Sequence, residues 1–195
     1  MYAYLKGKFT YKSPTQVIID VNGIGFDVQI SLHTYEATRL LDEGVIFVHQ
    51  IVKEDAHLLF GFAEKTEKEL FLHLISVSGV GASTARVMLS SLSPADLRAA
   101  IMTGNEGVLE RIKGIGKKTA QRIVLELKDK MIRVGAEESS TSAVMHNTLE
   151  QEALIAMSAL GIAKNMAEAA IKKAIKSEGV FGQVEDLIKA ALKCL

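Results

Sequence analysis

The first sixty residues alternate apolar and polar positions with the period of two that marks half-buried strands. Tyr2 to Phe9 alternates, Thr15 to Val21 is rich in β-branched residues, and Asn22-Gly23 is a strong hairpin turn leading into Phe26 to Ile30. A short helical segment, His33 to Leu41, precedes two further strands, Val45 to Val52 and His57 to Phe62. Five short strands and one helix within residues 1–63 predict a small closed barrel.

From Glu64 the period changes to that of helices, and the chain repeats itself. Leu74 to Leu89 reads LISVSGVGASTARVML and Leu109 to Val124 reads LERIKGIGKKTAQRIV, a constant offset of 35 residues that pairs Gly79 with Gly114, Gly81 with Gly116 and Thr84 with Thr119. Each copy predicts an amphipathic helix, a tight Gly-x-Gly turn, and a second helix beginning near Ala82 or Lys117. Between the copies, Ser93-Pro94-Ala95-Asp96 supplies an N-cap serine and a proline at the first helical position. That helix is expected to run to Met102 and stop at Thr103-Gly104. Lys117 to Met131 is expected to be a long last helix burying Ile123, Val124 and Leu127, so residues 64–134 read as one all-α domain.

The segment Gly135 to Asn147 is small, polar and aperiodic, and reads as a flexible linker. Beyond it, Thr148-Leu149-Glu150-Gln151 resembles a capping box opening a helix to Leu160, with Gly161 as its C′ residue. Met166 to Lys176 and Val184 to Lys193 give two more short helices. Residues 148–195 thus read as a three-helix unit, an interaction module rather than a catalytic one, in which Leu154, Leu160, Ile162, Ile188 and Leu192 are core or contact residues, with core expected for most of them. The fold class is multi-domain α+β: an OB-type barrel, an all-α repeat domain and a three-helix tail.

The repeat carries the chemistry. Glycine lets a turn adopt positive φ and lets the backbone come close to another molecule. The helix after the turn then presents unpaired N–H groups and the positive end of its dipole, a ready site for phosphate. The candidate backbone-binding residues are Gly79, Val80, Gly81, Ser83 and Thr84 in the first copy and Gly114, Ile115, Gly116, Lys117, Lys118 and Arg122 in the second. An αα-hairpin whose glycines only cap helices would show the same spacing, but charge argues against it. Arg111, Lys113, Lys117, Lys118 and Arg122 face only Glu110 in the second copy, whereas the first has Arg86 alone. The second hairpin should therefore supply more of any salt-dependent affinity.

Composition sharpens this. The 195 residues carry a formal net charge of +0, with 48% hydrophobic content. By region, residues 1–63 hold five Lys/Arg against seven Asp/Glu, 64–134 twelve against eight, and 135–195 six against eight, so the positive excess sits with the repeat. Cys194 is the only cysteine, which excludes a disulfide framework and a cysteine-based metal centre. The five histidines, His33, His49, His57, His73 and His146, show no ligand-like spacing, so no metal and no cofactor is assigned. No apolar run approaches the ~20 residues of a membrane span, and the amino-terminal YAYLKGKFTYKS lacks a signal-peptide core, so a cytoplasmic protein is expected. A phosphate-binding loop is absent, because Arg111 stands where its first glycine belongs and Lys118 where its Ser/Thr belongs. No catalytic residue is assigned, and directed movement would need a partner motor.

The tandem hairpins SGVG and KGIG resemble the helix-hairpin-helix motif of DNA-binding proteins. Together with KEDAHLLFGF from Lys53 to Phe62 and the tail stretch LEQEALIAMSALGI, they make the whole chain resemble the RuvA family of Holliday-junction-binding proteins. The resemblance implies a homotetramer, or two tetramers face to face, holding a four-way DNA junction open. It also implies a UBA-like tail that docks the hexameric RuvB ATPase, with the RuvC resolvase as a further candidate partner. Glu54 and Asp55, a solvated polar turn on the residues alone, become by resemblance an acidic pin at the junction centre. Two alternatives stay open. One is a helix-hairpin-helix DNA glycosylase or lyase, for which Lys118 is suitably placed but the required downstream aspartate is missing from VGAEE at 134–138. The other is a pure scaffold whose specificity lies in the tail alone.

Overall fold

The computed structural model describes residues 1–139, 145–179 and 181–195. Strands β1 (Tyr4–Ser13), β2 (Gln16–Val21), β3 (Ile24–Ile30), β4 (Glu43–Val52) and β5 (His57–Phe62) close into a barrel in the order β1-β2-β3-β5-β4. The β2–β3 turn takes positive φ at both central residues, 53° at Asn22 and 88° at Gly23, the twist-matched geometry that Asn-Gly favours. Helix α1 (Leu32–Thr38), capped by Ser31, lies between β3 and β4; β5 then returns to pair in parallel with β3. Alternate residues Val17, Ile19, Val28, Ile30, Ile46 and Val48 point inward with Leu5 and Phe9 to fill the barrel. Gly61 permits the closure, because a Cβ there would come within 2.4 Å of Val28 and 2.7 Å of Ile46.

Helices α2 (Lys65–Ile75), α3 (Ala82–Ser91), α4 (Pro94–Thr103), α5 (Glu106–Glu110) and α6 (Lys117–Ser139) follow. Ser93 caps α4 by accepting from the Asp96 N–H. Gly104, at φ 70°, ends it with the paired bonds of a Schellman motif, Asn105 N–H to Ala100 O and Gly104 N–H to Ile101 O. The change from strands to helices near residue 63 is no gap in packing: Phe71 of α2 lies against Phe60 and Phe62 of β5, with ring centroids 5.2 and 4.9 Å apart. These rings share one core with Leu70, Leu74, Met88, Leu89, Leu97, Ile101, Leu109, Ile123 and Leu127. Residues 1–137 accordingly form one compact unit.

Helix α6 runs past the expected end at Met131 to Ser139, which shortens the expected linker. Ala136, Glu137 and Glu138 favour helix enough to carry it beyond a single interior glycine, Gly135. The remainder of that linker up to residue 144 lies outside the described residues. Helix α7 (Met145–Ala159) begins before Thr148, so the capping-box sequence sits inside a helix rather than opening one.

The second unit, Glu138–Leu195, contains α7, α8 (Lys164–Glu178) and α9 (Val184–Lys193). Its core is built largely from small residues, Ala153, Ala167, Ala170, Ala174, Ala190 and Ala191, with Met157, Ile171 and Leu187. Gly161, at φ 87°, ends α7 in a second Schellman motif, with Ile162 N–H on Met157 O and Gly161 N–H on Ser158 O. Of the five tail residues that read as core or contact, Leu154, Ile162 and Ile188 pack on the core, whereas Leu160 and Leu192 are exposed.

Candidate nucleic-acid interface

The two hairpins repeat bond for bond. In the first, Val77 N–H donates to Leu74 O, Val80 N–H to Val77 O and Ala85 N–H to Gly81 O. In the second, 35 residues on, Ile112 N–H donates to Leu109 O, Ile115 N–H to Ile112 O and Ala120 N–H to Gly116 O. Gly79 and Gly114 take φ values of 94° and 93°, which L side chains rarely adopt. Gly81 is different: its φ of −82° and ψ of 165° suit any residue, and a Cβ at Gly81 or Gly116 would meet nothing within 4 Å. The chain itself therefore does not require glycine at those two positions, whereas close approach of an outside molecule does.

A glycine N-cap has no side chain with which to occupy the first amides of its helix. The N–H groups of Ala82, Ser83 and Thr84 at the start of α3, and of Lys117, Lys118 and Thr119 at the start of α6, are thus offered outward. Gly79, Gly81, Ser83, Gly114, Gly116, Lys117 and Lys118 are all exposed. Val80 and Ile115 are not: each is 5% exposed, packed in the helical core with its N–H used inside the turn, so these two hold the turn's shape and offer a ligand neither side chain nor amide. Arg111, Lys113, Lys117 and Lys118 are exposed, and among the described residues none of them enters an ion pair.

The two turns lie side by side. A Cβ on Gly114 would stand 3.9 Å from Thr84 Cγ2, and Arg122 of α6 donates through Nη1 to Ser78 O at 3.1 Å. Arg86, the only cation of the first copy, points elsewhere: its Nη1 donates to Thr15 O at 3.1 Å in the β1–β2 turn, and burial pulls its pKa below the ordinary guanidinium value. The outward charge of the pair is consequently concentrated on the second hairpin.

The acidic turn sits at the end of a ribbon. Strand β4 pairs with β1 only as far as Phe47, and β5 pairs with β3 only at Leu59–Gly61, whereas β4 and β5 stay paired out to Val52 and His57. The last part of this hairpin is therefore two-stranded and extends beyond the barrel's closed girdle. Ile51 and Leu58 lean on the helical core, and a Lys53 N–H to Ala56 O bond of 2.8 Å closes the tip. Glu54 and Asp55 stand exposed at that tip with Lys53 beside them.

Family models match both halves of the larger unit: RuvA N terminal domain over residues 1–61, and SAM-like helix-hairpin-helix tandem over residues 71–129. Proteins called Holliday junction branch migration complex subunit RuvA align along the whole chain. The one from Flavobacterium psychrophilum is 47% identical over 195 residues, covering 100% of both chains. The one from Cytophaga hutchinsonii is 45% identical over 197 residues, covering 99% of each, and that from Bacteroides fragilis is 42% identical over 202 residues, covering 100% of both. The chain belongs to the RuvA family.

The chain also buries a carboxylate where barrel and helices meet. Glu67 of α2 is fully enclosed and accepts hydrogen bonds from Ser31 Oγ and, at 2.7 Å, from Thr34 Oγ1, which in turn accepts from the Ala63 N–H. Burial pushes its pKa up, and the two hydroxyls, with His33 nearby, offset part of that shift. Sequence reasoning missed Glu67, because a Glu in a charged helical entry carries no local sign of burial. His49 and His73 are pulled below the ordinary histidine range, mainly by burial and secondarily by Lys68 and Lys130 respectively. Among the described residues, no group of three or more His, Cys, Asp and Glu side chains could hold a metal ion, and no helix is long and apolar enough to cross a membrane.

Proposed function

We propose that this chain is the DNA-binding, non-catalytic subunit of a cytoplasmic branch-migration complex acting in recombination and repair. It binds four-way (Holliday) junction DNA by structure and not by sequence. The observation that carries the reading is the pair of hairpins with identical turn bonds, each presenting an uncapped helix N-terminus directly after two exposed glycines. Amides at helix N-termini hold phosphate oxygens, and phosphate contacts fix register without reading bases. Exposed Lys117 and Lys118 add the electrostatic share, which falls as salt rises.

A homotetramer would set four such pairs around one crossover and bring four copies of Glu54 and Asp55 to its centre, and two facing tetramers would double both numbers. Carboxylates there repel phosphate and hold the junction unstacked. The three-helix unit is the docking surface for a hexameric RuvB-type ATPase, with a RuvC-type resolvase as a further partner at the same junction. The test is titration of junctions of one shape in two unrelated sequences. Affinities agreeing within about threefold are expected, whereas a difference of about a hundredfold, the size that base readout produces, would contradict the reading.

A further inference from the structure

Arg122 sits five residues into α6, about 7 Å along the axis from the amides at the helix start. Its guanidinium crosses to the other hairpin and donates to Ser78 O at 3.1 Å, immediately before Gly79 with its φ of 94°. On the same seam, Thr84 of α3 lies against the second turn at Gly114. The polar half of this contact is one-sided: the residue equivalent to Arg122 in the first copy is Val87, which cannot reach back with a hydrogen bond.

We propose that Arg122 is a positioning residue, clamping the first turn onto the second and so fixing the separation of the two helix N-termini, and is not itself a phosphate ligand. The proposal rests on the hairpins' being the DNA site. The first hairpin, whose one cation is committed to Thr15 O, depends on aligned amides more than on charge. Two phosphate sites held at a fixed spacing act as a chelate: once one is filled the second binds at high effective concentration, an advantage lost when the spacing drifts.

The test uses the full-length chain with Arg122→Met, which keeps the aliphatic stem, and Lys118→Met as reference. Without DNA, amide exchange across residues 78–81 should quicken about fivefold, the equivalent of one typical net hydrogen bond. With junction DNA, Arg122→Met should weaken binding by about fivefold to tenfold at every salt concentration while leaving the slope of log K against log salt unchanged. Lys118→Met should instead flatten that slope by about 0.9 for each phosphate contact removed. A flattened slope for Arg122→Met, or unchanged exchange at residues 78–81, overturns the clamp. The exchange measurement needs no DNA, so it decides the clamp even if the wild-type chain shows no preference for junctions, a result that would sink the proposed function instead.

Discussion

Gly79 and Gly81 stand two residues apart and are glycine for different reasons. At Gly79 the backbone demands it, with φ at 94°, so Gly79→Ala should destabilise the larger unit by about 1–3 kcal/mol, read by urea unfolding. At Gly81 the backbone is extended and a side chain meets open space. Gly81→Ser should therefore stabilise the fold by a few tenths of a kcal/mol, because serine is the better N-cap. The same change places a side chain over the offered amides and should weaken junction binding about tenfold. Stability and affinity moving in opposite directions is the signature; a serine variant that binds as tightly as wild type would show that the glycine serves no ligand. The repeat spacing disclosed these glycines, but not the fates of their neighbours. Val80 and Ile115 looked like contact residues because they sit inside the motif, yet their apolar side chains complete the core beneath it. Arg122 reads as a phosphate ligand from its place in the repeat and Arg86 as the lone cation of the first copy, and their carbonyl partners, 44 and 71 residues away, leave no local trace in the sequence.

Among the elements, the β4–β5 ribbon and helix α6 show how far periodicity reaches. Alternation identified both strands of the ribbon, and the register then showed that its distal pairs outrun β1 and β3. Composition misjudged α6, because a small, polar stretch after Val134 reads as a linker although Ala136, Glu137 and Glu138, just past Gly135, favour helix. At the ribbon's tip, Glu54 and Asp55 are exposed and positioned to repel an approaching polyanion. Two unit charges 4 Å apart repel by about 1 kcal/mol in water and by about 4 kcal/mol at the lower effective dielectric near a protein surface. The double variant Glu54→Gln, Asp55→Asn should bind junctions as tightly as wild type or more tightly, while altering the rate of branch migration driven by a partner ATPase. A large loss of junction affinity in a gel-shift titration would mean that these carboxylates attract something instead.

In the whole molecule, one core runs from barrel to hairpins through Phe60, Phe62 and Phe71, and residues beyond Glu137 pack as a separate unit with a core of their own. Sequence patterns located the strands and most helices of both units, though not the end of α6 or the start of α7, and marked a boundary near residue 63 where aromatic packing is continuous, because packing between elements is not written in local periodicity. The separation after α6 gives the tail its own test. A chain ending at Ser139 should still bind junctions but no longer stimulate a RuvB-type ATPase, whereas a pure scaffold acting through the tail would lose both. The central claim is that paired amide sites, repeated around a crossover, select the junction's shape. Competition between an unlabelled four-way junction and an unlabelled linear duplex of the same sequence, against one labelled junction, measures this directly. The junction should compete at least about a hundredfold better, the gain that simultaneous engagement of several arms brings. Equal competition by the straight duplex would contradict it.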